Sequence, residues 1–196
     1  MINPNHMPTA HKEFSDYKKT LEKSKKERNN KFLNLLNRFA YRYRMAKAFH
    51  TIVAVDVEKR TVDGYACGMK LFLAYSAYDE IREAERILRK DERLKTHKFK
   101  DKALAEKIRR NKKMKELLLD TEKIEGEGLR NVLKKFYDGR NDEVMCFATC
   151  LRHCFVHGDF TTARSGLTTK REIAVVEEVT DVILKVSDDL FTEMMK

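Results

Sequence analysis

The sequence predicts an all-α fold, an antiparallel helical bundle of about five to seven helices. Three observations predict it. The only two prolines, Pro4 and Pro8, lie in the first ten residues, so nothing after them forbids helix. Only seven glycines interrupt 196 residues. Apolar residues recur at spacings of three and four along most of the chain, which is the helical period.

Composition bounds the rest. A chain of 196 residues with 42% hydrophobic residues suits one domain with a sizeable core. Residues 1–10 read as a flexible tail and 11–196 as a single helical domain, within which 11–58 is readable as an appended arm. The 37% of charged residues points to long solvated helix faces, and the net charge of +10 favours an acidic partner such as RNA. A plain lysine-rich solvated surface accounts for the same charge equally well. The polar segment Met1–Ala10 is not a secretory signal, and no apolar run approaches the ~20 residues that span a bilayer. These features predict a soluble, cytoplasmic protein with no membrane partner. Four cysteines, Cys67, Cys146, Cys150 and Cys154, fit a reducing compartment better than a disulfide framework.

In chain order, residues 11–30 carry Phe14, Tyr17 and Leu21 as a thin helical stripe among the lysines Lys18, Lys19, Lys23, Lys25 and Lys26. Residues 31–58 show a stronger face of Phe32, Leu35, Leu36, Phe39, Tyr43 and Ala46. Arg38, Arg42, Arg44 and Lys47 interleave with Tyr41 and Tyr43. That mixture fits a base-stacking surface, but a packed helix with snorkelling arginines reads the same and is preferred. The β-branched run Thr51–Val55 fits a short strand, but it reads as continuing helix, since no partner strand is evident elsewhere.

Residues 61–95 form one long helix or two joined ones, with a broad apolar patch around Tyr65, Met69, Phe72, Leu73, Tyr75 and Ala77. Gly64 and Gly68, four apart, allow another helix to approach closely. Ile81, Ile87 and Leu88 anchor its charged second half. Residues 96–120 place Leu104, Ile108, Leu117 and Leu118 on one side. Arg109, Arg110, Lys112, Lys113 and Lys115 make the densest basic cluster, a candidate for sequence-independent RNA attraction; the plain alternative is an exposed connector. Residues 125–128 mark a loop, and a short helix over 129–137 is stopped by Asp138-Gly139.

Asn141-Asp142-Glu143 supplies an N-cap and first-turn acids for a helix in which Val144, Phe147, Leu151 and Phe155 face the core. Gly158–Thr168 reads as a polar loop from which Arg164 would reach a substrate phosphate. Thr169-Lys170-Arg171-Glu172 has the form of a capping box. The last helix carries one seam of Ile173, Val176, Val179, Ile183, Val186, Leu190 and Met194, with Val175 and Val182 off it.

The candidate site is Leu151-Arg152-His153-Cys154-Phe155-Val156-His157-Gly158. Arg152 is a permanent cation whose forked donors fit phosphate, and a histidine takes or gives a proton near neutral pH. An arginine and a histidine converging on a phosphodiester would activate a ribose 2′-hydroxyl and steady the transition-state charge, with no metal or cofactor needed. Five residues along a helix turn the side chain by about 500°, leaving Arg152 and His157 roughly 140° apart. They converge only if the helix ends near His157, as Gly158 favours, or if two copies share a groove. Cys146, Cys150, Cys154, His153 and His157 recur every four residues and invite a zinc reading. One continuous helix does not wrap four ligands around an ion, so small core cysteines are the preferred reading.

This stretch resembles the R-x4-H motif of the HEPN superfamily. The segment Gly64–Glu80 is similar to an early core helix of bacterial members, and Ile173–Phe191 to their closing helix, so the resemblance covers about residues 60 to 195. It implies a helical bundle that forms a homodimer, with the motif lining the dimer cleft. It also implies metal-independent endoribonuclease activity in a toxin–antitoxin or defence role, with an antitoxin protein as a further partner; other members have lost catalysis. By position, Arg152 and His157 match the catalytic pair and His153 the polar residue between them. The tyrosine that one subgroup carries two residues past the histidine is Asp159 here, which puts that subgroup's mode of control in doubt. The alternative expectation is a non-catalytic HEPN-like module for RNA or protein binding, in which Arg152 pairs with an acid and His157 caps a helix.

Overall fold

The computed structural model describes residues 4–23, 31–90, 97–120 and 127–196. The side chains of Leu21, Lys23, Lys25 and Lys26, the expected helix extension to Lys95 and the Glu125-Gly126 loop lie outside the described residues.

The protein is an all-α helical bundle. Among the described residues a 3-10 turn, Pro4–His6, precedes nine α-helices. These are α1 (His11–Lys23), α2 (Lys31–Ala48), α3 (Lys59–Arg89), α4 (Lys102–Arg109), α5 (Lys112–Asp120), α6 (Glu127–Tyr137), α7 (Val144–Val156), α8 (Thr162–Ser165) and α9 (Lys170–Met194). The count passes the expected five to seven for local reasons. Asn111 divides the basic stretch: its side-chain oxygen accepts from Met114 N (2.9 Å) and opens α5 as an N-cap. The polar loop after α7 contains a one-turn helix, α8, whose N-cap Thr161 accepts from Arg164 N (3.1 Å).

One local reading is corrected. Thr51–Val55 does not continue α2, which ends at Ala48; these residues are not helical, and they leave Val53 94% and Val55 82% exposed. With side chains in water there is no packing to offset the poor helix propensity of a β-branched run. Leu88, expected as an anchor, is also exposed.

The chain divides into two compact units. One comprises Met1–Phe49, Leu73–Thr96 and Ile183–Lys196; the other comprises His50–Phe72 and His97–Val182. In the first, the Phe39 ring lies 4.9 Å and the Phe14 ring 5.5 Å from that of Phe191, amid buried Leu36, Tyr78 and Ile81. Arg38 (2.9 Å) and Arg42 (2.5 Å) converge on the buried carboxylate of Glu80, which gives these two arginines of α2 a structural role, while Arg44 lies 4.8 Å over the exposed Tyr41 ring. Thr9 donates its N–H and its hydroxyl to the Asp188 carboxylate (2.7 and 2.5 Å).

The second unit holds the candidate site. Its core joins Leu104 and Ile108 of α4, Met114, Leu117 and Leu118 of α5, Phe136 of α6, and Phe147, Cys150 and Leu151 of α7, all buried. Val176 and Val179 of α9 are buried in their seam. Gly64 and Gly68 of α3 accept close neighbours as expected: Gly68 meets the Phe155 ring of α7, and Gly64 meets Thr162 of α8 and the Leu167 backbone. A Cβ on Gly64 would collide with the Leu167 carbonyl oxygen, and one on Gly68 would lie 3.0 Å from the Phe155 ring.

Candidate functional site

Both ends of α7 are determined by the sequence around them. At the start, the buried Glu143 carboxylate accepts from Met145 N (3.1 Å) and from Phe99 N (2.8 Å). It therefore caps α7 and ties the 97–101 segment to it through one oxygen. Of the three residues expected to cap α7, Glu143 is the N-cap. Asn141 supports it by accepting from Glu143 N (3.2 Å).

At the other end, α7 finishes at Val156 and His157 is the C-cap. Gly158 follows at φ +75. Its N–H donates to Phe155 O (3.4 Å) and that of Asp159 to Cys154 O (3.0 Å). This double closure needs a left-handed residue after the cap, the conformation glycine adopts without penalty. An aromatic group holds the last turn in place. The Phe155 ring lies 5.7 Å from Phe72 and 5.2 Å from Phe160, and Phe160 lies 6.0 Å from Tyr65. Phe160 folds the chain back against α7 as soon as the helix has ended. Sequence reasoning missed it, although an aromatic two residues past a helix-closing glycine is a recognisable sign of such packing.

The motif side chains occupy this last turn. The rings of His153 and His157 stack with centroids 5.9 Å apart and planes 15° from parallel. His153 is half-buried and His157 exposed. Arg152 is half-buried, and its Nε is shielded from solvent. His157 still donates its N–H to His153 O (3.0 Å), as a helical residue does, so the helical register persists to the cap. That register keeps His153 and His157 on one face and leaves Arg152 about 140° from His157. Within one chain the structure joins the two histidines.

The basic residues fall into two groups. Arg109 is taken up by the interior. Its Nε donates to Phe136 O (2.5 Å), and its Nη2 to Asn141 O and to the Asp142 carboxylate (both 2.7 Å). Its guanidinium also lies 4.8 Å over the Phe136 ring. Arg110, Lys112, Lys113 and Arg164 are exposed, and none has an ion-pair partner among the described residues.

The structure brings these four together across more than fifty positions of sequence. Asn111, between Arg110 and Lys112, donates its side-chain amide to Ser165 O (3.3 Å), next to Arg164. A Cβ on Gly166 would lie 3.3 Å from that of Lys113, so α8 rests against the start of α5. Arg171 of α9, which the sequence reading used only for a cap, lines one depression with Arg110, Asn111 and the half-buried Glu172. The starts of α5 and α9 are both N-capped, by Asn111 and by Thr169, which accepts from Glu172 N (3.3 Å). The five cations thus stand beside the positive ends of two helix dipoles.

The cysteines are core residues. All four are free and buried. Burial pushes the Cys67 and Cys146 thiols up from 9.0 to about 12, helped by Glu177 and Glu143 respectively. Burial likewise raises the Cys150 thiol and the Tyr137 phenol, and neighbouring cysteines add to both shifts. Among the described residues no group of three His, Cys, Asp or Glu side chains is placed to hold a metal ion, and no helix is long and apolar enough to cross a membrane.

Compared with known proteins, the chain matches no family model, no curated protein and no solved structure.

Proposed function

We propose that this chain is a HEPN-like RNA-binding protein that cleaves RNA without a metal, using the last turn of α7. The observation that carries this reading is positional. Arg152, His153 and His157 sit on one helix end, and the chain leaving that end runs through Phe160 directly into α8, where Arg164 joins Arg110, Lys112, Lys113 and Arg171. Cations without acidic partners attract phosphates along a single strand regardless of base. The histidines then stand at the edge of the region to which the strand is drawn.

In the reaction, His157 takes the proton of a ribose 2′-hydroxyl. The 2′-oxygen attacks the adjacent phosphorus, and the 5′-oxygen leaves with a proton returned by an acid. The products are a 2′,3′-cyclic phosphate and a 5′-hydroxyl. Arg152 binds the phosphate and balances the charge that builds on its oxygens. His153, stacked on His157, orients that ring. The register of α7 separates Arg152 from His157, so the reaction needs two copies of the chain, each giving one of the two groups to a shared groove. A toxin or defence role, with an antitoxin protein as antagonist, belongs to the same reading.

The second reading is an RNA-binding module without cleavage. It is favoured by the shielded Nε of Arg152, which suits a packed arginine. Incubation with mixed single-stranded RNA and a chelator separates the two. Cleavage that survives chelation and is lost in folded Arg152→Ala and His157→Ala variants supports the nuclease. Bound but intact RNA moves the assignment to the module.

A further inference from the structure

The depression beside Arg110 and Arg171 joins three kinds of chemistry. Its floor is apolar: Ile108, Met114, Phe147 and Val176 are buried, and half-buried Val175 lies beside them. Val175 is the valine that falls off the seam of α9, and this is the surface it lines. The rim is cationic. Arg110 and Arg171 are exposed and have no ion-pair partner among the described residues, whereas Lys107 is held by Glu178 (2.8 Å). The third component is the half-buried Glu172. Its N–H donates to Thr169 Oγ1, but its carboxylate makes no hydrogen bond or ion pair among the described residues.

Phosphate attraction alone leaves this combination unexplained. Cations that only follow a backbone need no apolar floor, and a carboxylate among them opposes phosphate. A ligand with an anionic end, a flat apolar face and an N–H edge uses all three, and a nucleotide has that form. We infer that the depression between α4, α5, α7 and α9 seats one unstacked base of the single strand drawn to these cations. The phosphate beside that base meets Arg110 and Arg171, the face of the base covers the apolar floor, and its edge donates to Glu172. Every RNA base carries at least one N–H on its pairing edge, so the seat takes any base. The depression is narrow, which suits a flat ring, and Glu172 would meet an acidic peptide with like charge. Phosphate contacts alone let a strand slide, whereas a seated base fixes its position against the cations. This inference deepens the RNA reading and rests on it, but it does not depend on cleavage at the end of α7.

Equilibrium binding to the full chain tests this with short 2′-O-methyl oligomers, which the 2′-hydroxyl reaction does not cleave. One oligomer carries a base at every position, and the other has the same sugar-phosphate chain without bases. The wild type binds the first about tenfold more tightly, and restoring a single base to the second recovers most of that difference. Adenosine monophosphate competes only weakly, because it brings one phosphate instead of a chain of them. Val175→Met fills the narrow depression without adding a ring or a charge. With its fold confirmed by circular dichroism, it binds the full oligomer about tenfold more weakly and the abasic one as the wild type does, with an unchanged salt slope. Arg110→Ala weakens both. Equal affinity of the wild type for the two oligomers overturns the seat and leaves the phosphate attraction standing. So does a folded Val175→Met that binds the full oligomer as tightly as wild type. Competition by micromolar adenosine monophosphate overturns the strand as occupant in favour of a free nucleotide. A wild type that binds neither oligomer fails the RNA reading itself, and this inference with it.

Discussion

Arg109 gives two hydrogen bonds from one nitrogen, to Asp142 and to the Asn141 carbonyl, while the next residue, Arg110, is exposed. Adjacent arginines of one basic cluster thus do different work. Arg109 joins the end of α4 to the end of α6 and to the start of α7, with its ring contact to Phe136 closing the arrangement. Arg109→Ala leaves a partly buried carboxylate and two carbonyls without their donor. The expected loss is about 2–4 kcal/mol of folding stability, read by urea denaturation. Arg110→Ala should stay within about 0.5 kcal/mol of wild type, as surface changes do. Equal losses would show that Arg109 is not the tie described.

Gly64 and Gly158 predict opposite kinds of sensitivity. At Gly64 the backbone is ordinary but space is missing, because a methyl would meet the Leu167 carbonyl and Thr162. At Gly158 nothing lies within 4 Å of an added Cβ, but φ is +75. Gly158→Ala should therefore cost only the left-handed penalty of about 1–2 kcal/mol. Gly64→Ala should cost more, as overpacking against backbone does, by about 2–3 kcal/mol or beyond. Thermal unfolding of the two variants gives the order, and a smaller loss at Gly64 would mean that the Leu167 loop yields freely.

The thiols predict a limit on the alkaline side. The folded state holds the protons of Cys67 and Cys146 up to about 12, whereas the unfolded chain releases them near 9.0. A raised folded pKa contributes stability that is fully present below the unfolded value and is lost as pH climbs toward the folded one. Urea midpoints should thus fall progressively from about pH 9 to about pH 12. In the native protein the four thiols should resist a disulfide reagent near pH 8 and react together on unfolding, since the thiolate is the attacking form. Rapid native labelling of even one thiol would contradict its burial.

The fold was legible because its signals are local and repeated. The seam of α9, the Phe39 face of α2 and the cap before α7 each show within one or two turns of sequence, and so does the glycine that closes α7. Thr51–Val55 was misread because a short apolar run carries no period that separates strand from helix. Its exposure decides the matter, and exposure is a property of the whole fold. The site was legible only in part. Arg110 and Arg164 belong together through one amide, that of Asn111, which no spacing rule links to Ser165. Arg109 looked like its neighbours because a basic run records charge and not direction. Asn111 itself did leave a sign, since an asparagine before Lys112-Lys113-Met114 is an ordinary way to restart a helix.

The cation group yields the most direct test of RNA binding. Arg110 at the cap of α4, Lys113 of α5, Arg164 of α8 and Arg171 of α9 reach the surface without an ion-pair partner among the described residues. If a single strand crosses them, each contact releases counterions, and the logarithm of affinity falls with the logarithm of salt by about 0.7 per phosphate neutralised. Lys113→Ala and Arg164→Ala should each weaken binding of an unstructured RNA about 3- to 10-fold at moderate salt and reduce that slope by close to one contact. Base composition of the RNA should matter little. Arg109→Ala, examined where it remains folded, should leave the slope unchanged because its guanidinium already faces Asp142 and two carbonyls. A slope that drops with Arg109→Ala and not with Lys113→Ala would place the RNA elsewhere on the protein, away from the α5 and α8 surface and from the histidines beside it.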